Sequence, residues 1–369
     1  MTPKRILYLA AIVFILGCKS KNEQVATNDS LYSAQLAYKI KPQGPPPAWA
    51  PDMKPQMQAV IERLQRYGDQ PIETLGPGRA RKNHSALRAA SDLLKDNHIA
   101  PPVDHIDTSG QNIPANWGDI HLRFYTAKNL AKSNPVIVYF HGGGFVTSGI
   151  DGYDASARAL AAKTGAIVIS VGYRLAPQYM FPYAHNDAFK AYAWVLKNAA
   201  TFKGDSTKIA LAGEDAGGNL AINTALKAVA SKTRRPVAVL AIYPFADVDM
   251  KTASYTQYAD ALPLSKGMMA WYYKKYLNKK FELRDPQINL VSANLKGLSP
   301  TIVITAEIDP LQSEGLRLAE KLKADSVTVY ARNYDGVTHD FFGMNAVLPD
   351  ANDAQLYAAG LLKHLFEQR

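Results

Sequence analysis

An α/β fold with a mostly parallel central sheet flanked by helices is predicted by three observations in this 369-residue sequence. Short apolar runs at 136–140, 166–170, 208–212, 237–242 and 301–305, mostly rich in β-branched residues, have the character of strands buried on both faces. Helical stretches separate them, most clearly 155–163, 185–200, 219–231 and 313–323. The loops that leave these runs carry glycine clusters, carboxylates and a histidine, and in an open parallel sheet ligands sit at the carboxyl ends of the strands.

In chain order, Met53, Met57, Val60, Ile61 and Leu64 recur at helical spacing within 51–67, and 86–94 repeats the pattern after a Gly-Pro-Gly break. Two strand-like stretches follow at 103–108 and 120–125, the second alternating apolar and polar residues as a half-buried antiparallel strand does. A last strand at 327–330 and a last helix at 351–366 complete the alternation. An insertion between the 237–242 and 301–305 runs crowds Trp271, Tyr272, Tyr273 and Tyr276 together, which reads as packing between a cap and the body more readily than as a substrate wall.

At the N-terminus, Lys4 and Arg5 precede an apolar run at 6–16 that is too short to span a bilayer as a mature helix and has the charge-then-apolar order of a secretory signal. Ile15-Leu16-Gly17-Cys18 resembles the bacterial lipobox, in which the cysteine is acylated and becomes the new N-terminus. We therefore expect a signal peptide at 1–17, export, and a membrane anchor through lipid on Cys18, on the periplasmic or cell-surface side. Residues 18–48 are too polar to bury a core and read as a tether to a folded body at 49–369. An uncleaved anchor or a plain signal peptide would equally place that body outside the cytoplasm. Cys18 is the only cysteine, so the body has no thiol chemistry, disulfide or thiolate metal site. The formal charge of +10 is not organised into a nucleic-acid motif, and clusters such as Arg79-Ala80-Arg81-Lys82 and Lys274-Lys275 read as exposed helix faces. No pattern specifies an oligomeric state.

The unusual loops carry the chemistry. His141-Gly142-Gly143-Gly144-Phe145 follows the 136–140 run, and successive glycines let backbone N–H groups turn toward one point, an oxyanion hole. Gly213-Glu214-Asp215-Ala216-Gly217-Gly218-Asn219 joins the 208–212 run to a helix as a nucleophile elbow does, with small residues flanking a central side chain thrust into the site. The same residues also fit an ordinary glycine-rich turn with Asp215 as a helix cap. Asp309 and then His339 follow late strands, which is the chain order of a nucleophile, acid and histidine triad. His84, His98, His121, His185 and His364 have no metal-ligand spacing and read as structural, so no metal is expected.

Taken together, residues 141–145, Tyr173-Arg174-Leu175-Ala176-Pro177, 213–219, 304–311 and 336–342 resemble the hormone-sensitive-lipase-like (family IV) esterases of the α/β-hydrolase superfamily. The resemblance spans the chain from about Trp49 onward. It implies an α/β-hydrolase fold with a helical cap drawn from about 49–100 and about 250–285, a small ester-like substrate and no cofactor. It further implies oxyanion donors at Gly143, Gly144 and Ala216, and a triad of the elbow residue, Asp309 and His339. The family carries serine at the elbow; this chain carries Asp215, and Gln178 where glutamate usually follows the proline.

Aspartate changes the chemistry expected of the site. A carboxylate that attacks an ester gives a mixed anhydride, and the tetrahedral intermediate expels it more readily than an alkoxide. With a reference value of about 4, Asp215 should be ionised, and with Asp309 it should raise the pKa of His339, which when protonated is no base. Three readings follow: an esterase-like hydrolase impaired or altered by Asp215, a pocket that binds without catalysis, and a hydrolase acting at saturated carbon, as haloalkane dehalogenases and epoxide hydrolases do on the same fold. Against the last, Ala216 stands where dehalogenases carry a tryptophan, and only Tyr255, Tyr258, Tyr272 and Tyr273 are candidates for the cap tyrosines that epoxides need.

Overall fold

Eight strands form one sheet in the order β1-β2-β4-β3-β5-β6-β7-β8. The computed structural model describes residue 36 and residues 38–116 and 118–368. The chain divides into units Met1–Lys39 and Ile40–Arg369, and the sheet and the site belong to the second. The expected signal segment and Cys18 lie outside the described residues. Among the described residues no helix is long and apolar enough to cross a membrane.

Strands β3 (Asn134–Phe140), β4 (Ile167–Gly172), β5 (Gly204–Glu214), β6 (Val239–Ile242), β7 (Thr301–Ile308) and β8 (Val329–Thr338) pair in parallel. Only β2 (Gly118–Ala127) breaks the direction, pairing antiparallel with β4 and with β1 (Ile106–Ala115). The central strands are buried along nearly their whole length, as their unbroken apolar character requires.

Both edges of the sheet depart from the sequence expectation, and for one reason. The first strand starts at Ile106 rather than 103 and runs to Ala115; the last spans Val329–Thr338 rather than 327–330. Each has only one neighbour, so one row of backbone groups faces outward and polar side chains cost little. Ser109, Gln111 and Asn112 are exposed in β1, and Arg332 and Asp335 in β8. Pro114, which would remove a ladder hydrogen bond in a central strand, is tolerated in β1 because it lies at the edge.

The Ala216–Ala230 helix packs against β3, β5, β6 and the Tyr183–Asn198 helix, and is buried on most of its surface. The other body helices, Asp154–Thr164, Gln312–Ala324 and Pro349–Glu367, match the apolar periodicity to within a few residues. Gly165 ends the first of these in the left-handed conformation that a C-terminal cap requires.

The segments expected to form the cap hold the Pro55–Gln65, Pro77–Ala80 and Ala86–Asp96 helices and, in the insertion, Ala253–Gln257 and Lys266–Tyr276. Trp271 of the second group donates its indole N–H to the carbonyl of Leu75, just before the Pro77–Ala80 helix, at 3.1 Å. The folded body begins before Trp49. Ile40 is buried, and the N–H groups of Gln43 and Gly44 donate to the Glu62 carboxylate at 2.7 and 3.1 Å, so residues 40–44 are not tether.

Arg81 is more than part of an exposed basic face. Its guanidinium donates to the carbonyls of Val146 and Ala176, at 2.8 and 2.7 Å, and to Gln178 Oε1 at 2.9 Å, tying the N-terminal cap to the segment behind the glycine loop. Arg81→Ala is expected to lower the free energy of unfolding by about 1–2 kcal/mol, the worth of charge-assisted hydrogen bonds at a partly exposed site. Urea unfolding of the two proteins measures it, and equal midpoints would show that the clamp contributes nothing.

Candidate active site

Strand β5 delivers its last residue, Glu214, into a sharp turn at Asp215, which has φ 55° and ψ −121° before the helix starts at Ala216. A non-glycine residue held there carries backbone strain of about 1–3 kcal/mol, offset by the packing around it. The turn closes only because its flanks are small. A Cβ on Gly217 would lie 2.0 Å from the carbonyl oxygen of Phe140, so the helix start and the end of β3 could not approach as they do.

The loop after β3 faces this turn. Gly143, Gly144 and Phe145 all have positive φ, at 99°, 57° and 63°, and the first two direct their N–H groups at one atom, Oδ2 of Asp215, at 2.8 and 2.9 Å. The Ala216 N–H, at the start of the helix, favours the charged form of the same carboxylate. The donors expected to hold an oxyanion are therefore filled by the side chain of the elbow residue itself.

Asp309 and His339 meet as their order along the chain suggested. Asp309 Oδ2 lies 2.7 Å from His339 Nδ1, and its Oδ1 accepts the N–H of Leu311 at 2.8 Å, which fixes the carboxylate. Both residues are buried, as is Asp215. Sequence reasoning gave no role to Asp340, which adopts a left-handed backbone (φ 65°) and brings Oδ1 within 3.8 Å of His339 Nε2. Tyr153 donates its hydroxyl to the same oxygen at 2.8 Å.

These carboxylates dominate the electrostatics. Burial opposes charge on His339, but Asp309, Asp340 and Asp215 outweigh it and push the imidazole up to about 10. The expected direction holds, with Asp340 as a contributor the sequence did not reveal. Burial also pushes the Asp215 carboxyl up from its ordinary value, against the pull of His339 and of the Gly144 and Ala216 N–H groups. The expectation of an unperturbed aspartate left that burial out.

A second layer lies beneath the elbow. Glu214, fully buried, accepts the hydroxyls of Tyr139, at 2.5 Å, and Tyr243. Burial pushes it up to about 7. The Tyr243 ring, on a backbone with φ 33°, packs 4.6 Å from the His339 ring between centroids. The signal for Glu214 was available in its place beside the elbow residue, whereas Tyr243 follows β6 with no motif around it.

The aromatic cluster of the cap mostly packs. Tyr276 stacks on Phe145 at 4.1 Å and bonds His185 at 2.8 Å, while Tyr273 donates to the Asp247 carbonyl at 2.7 Å. Tyr272 packs over the glycines of the loop. Its ring occupies the space a Cβ on Gly144 would need, and its hydroxyl lies 3.1 Å from Thr147 Oγ1. His185 also contacts Asn219 at 2.9 Å, and burial lowers it to about 4, in keeping with a structural histidine.

A family profile described as alpha/beta hydrolase fold matches residues 137–343, more than half of the chain. The chain belongs to the α/β-hydrolase fold family. Among curated relatives of this hydrolase, a carboxylesterase of Mycobacterium tuberculosis, NlhH, is 36% identical over 242 residues, covering 64% of this chain and 75% of the relative. The ethyl acetate hydrolase of Pseudomonas putida is 32% identical over 238 residues, with the same coverages. Among solved structures, a thermostable esterase of Pseudomonas putida superposes with a TM-score of 0.78 at 32% identity, over 86% of this chain and 98% of that one. An esterase of Pyrobaculum calidifontis gives 0.75 at 33% identity, over 83% and 98%.

Proposed function

We propose that this α/β hydrolase is a carboxylic ester hydrolase of the hormone-sensitive-lipase-like group in which Asp215 stands at the nucleophile position and suppresses the turnover of ordinary esters. The curated relatives are carboxylic ester hydrolases, and the function of this chain is of that kind. The observation that carries the reading of Asp215 is the convergence of the Gly143 and Gly144 N–H groups on its Oδ2, opposite an Asp309–His339 pair. An ester carbonyl needs those donors as it becomes tetrahedral, and here it would have to displace a carboxylate oxygen to reach them. The substrate class is a small ester, and the reaction needs no cofactor.

The test is hydrolysis of p-nitrophenyl acetate by the protein, by Asp215→Ser and by Asp215→Ser/His339→Ala. Activity confined to the serine protein and abolished with the histidine supports the reading. Equal activity in the aspartate and serine proteins overturns it.

We further propose export and lipid attachment at Cys18, supported by the charge-then-apolar order of residues 4–16 and by Ile15-Leu16-Gly17-Cys18. Radiolabelled palmitate should enter the protein in bacterial cells and membrane pelleting should follow, both lost in Cys18→Ser. Label that persists in the variant would sink the assignment.

A further inference from the structure

We infer that the end of the sheet opposite the elbow is a docking face for an anionic phospholipid bilayer. The inference goes beyond ester hydrolysis and does not depend on lipid at Cys18. Parallel pairing fixes the geometry. Strands β3, β5, β7 and β8 deliver Gly143, Asp215, Asp309 and His339 just past their carboxyl ends, so the connections that enter the parallel strands lie together at the other end. Those connections are basic. Lys128 and Lys132 precede β3, and Lys203 precedes β5. Lys232, Arg234 and Arg235 precede β6, and Lys296 precedes β7; all of these side chains are exposed.

Hydrogen bonds knit the connections into one surface. The Lys203 carbonyl accepts the backbone and side-chain N–H groups of Asn134, both at 2.9 Å. Val237 donates its N–H to the Ile209 carbonyl at 2.7 Å, the Arg235 guanidinium donates to the Gly297 carbonyl at 3.0 Å, and the N–H of Leu295 donates to Asp325 at 2.7 Å. Carboxylates offset little of the charge. Asp325 is paired with Lys321 at 2.7 Å and Glu320 with Lys323 at 2.9 Å, so Asp205 is the carboxylate left to oppose the cations of this face. Among the described residues those cations have no ion-pair partner. On the flank, Asp104 is taken by Arg158 and Asp107 is exposed on β1.

The chemistry of the face selects the partner. A bilayer presents a broad layer of phosphates, and lysines on flexible stems spread over a whole face meet it without fixed pairing. Single-stranded nucleic acid is held by aromatic rings on which its bases stack, and among the described residues these loops expose no such ring. Docked by this face, the protein turns the elbow and His339 away from the lipid, toward esters dissolved in the surrounding water.

The experiment is co-sedimentation of the full chain, carrying Cys18→Ser so that no acyl group contributes, with vesicles of phosphatidylcholine alone or mixed with phosphatidylglycerol. The expected result is binding that requires phosphatidylglycerol and is lost at high salt. Each lysine or arginine near an anionic surface is worth about fivefold in partitioning, so Lys132→Glu/Arg234→Glu/Lys296→Glu should weaken binding by about 100-fold or more. Lys82→Glu/Lys274→Glu/Lys280→Glu makes an equal change of net charge in the cap segments, beyond a Debye length from the lipid, and should weaken binding by less than about tenfold. Equal effects of the two variants, each with the circular dichroism of the folded state, would overturn the inference, because net charge and not this face would then hold the vesicle. So would binding by the parent that ignores phosphatidylglycerol or salt. A duplex DNA oligonucleotide is the remaining arm: if the first variant loses DNA binding and keeps vesicle binding, the face belongs to nucleic acid and the inference fails.

Discussion

Asp215→Ser is expected to raise kcat for p-nitrophenyl acetate by about 10³-fold or more. Loss of a single oxyanion donor costs about 10²–10³ in rate in a serine hydrolase, and in the aspartate protein Gly143 and Gly144 are both occupied by Oδ2. Serine is one atom shorter and carries no second oxygen, so both donors become available to the substrate carbonyl. The substitution also removes one of the negative charges that hold His339 protonated. The imidazole of the serine protein should therefore titrate lower than about 10, although Asp309 and Asp340 remain and keep it above an isolated histidine. Activity should accordingly rise with pH through the neutral and alkaline range as the base deprotonates. The pH profile of kcat/KM, with an NMR titration of the His339 ring in both proteins, checks the two halves of the argument independently. A serine protein no faster than the aspartate protein would mean that the self-filled hole is not what limits ester turnover.

The parts of the molecule that could be read from sequence are those whose cause is local or periodic. Buried parallel strands announce themselves because both faces must be apolar, so 136–140 and 301–305 fall inside β3 and β7. The glycine loop and the elbow could be found because tight turns demand small residues at fixed offsets, and Asp309 and His339 because each follows a late strand in triad order. The edges of the sheet could not, since a strand with one neighbour tolerates Gln111, Asn112 and Asp335 and looks like loop. Asp340 was beside a named residue, but its approach to His339 depends on a left-handed backbone that no spacing encodes. Arg81 read as surface charge because the carbonyls it binds, Val146 and Ala176, belong to segments distant in sequence. That Asp215 fills the hole follows from side-chain length and the position of β3 beside β5, which is tertiary information.

Unfolding stability should be greatest in mildly acidic solution and fall as pH rises toward 9 or 10, with Glu314 a large contributor. Glu314 is fully buried beneath the cap, where one carboxylate oxygen accepts the N–H groups of Ala246 and Asp247, each at 2.9 Å, and the other accepts the Tyr255 hydroxyl at 2.8 Å. Burial outweighs these bonds and pushes the carboxyl up to about 8, with neighbouring Asp247 adding to the rise. A group that binds its proton more tightly when folded contributes stability below its unfolded value, here about 4.5. That contribution is lost as pH climbs through 8. Glu214, raised to about 7, and His339, raised to about 10 from an ordinary value near 6.5, have the same sign and extend the decline over the neutral and alkaline range. Asp92 acts oppositely: hydrogen bonds from Arg88, Lys95 and Tyr67 hold its carboxyl low against burial, so stability is also lost in strong acid. The loss owed to Glu314 by pH 9 is on the order of a few kcal/mol, since binding a proton tenfold more tightly in the folded state is worth about 1.4 kcal/mol. Glu314→Gln mimics the protonated side chain, because the amide oxygen can accept both backbone N–H groups while its NH₂ donates to the Tyr255 oxygen. Urea unfolding at pH 5, 7 and 9 should show a shallower decline for Glu314→Gln than for the parent, with the variant the more stable of the two at pH 9. Parallel pH profiles would mean that Glu314 binds its proton no more tightly in the folded protein than in the unfolded chain.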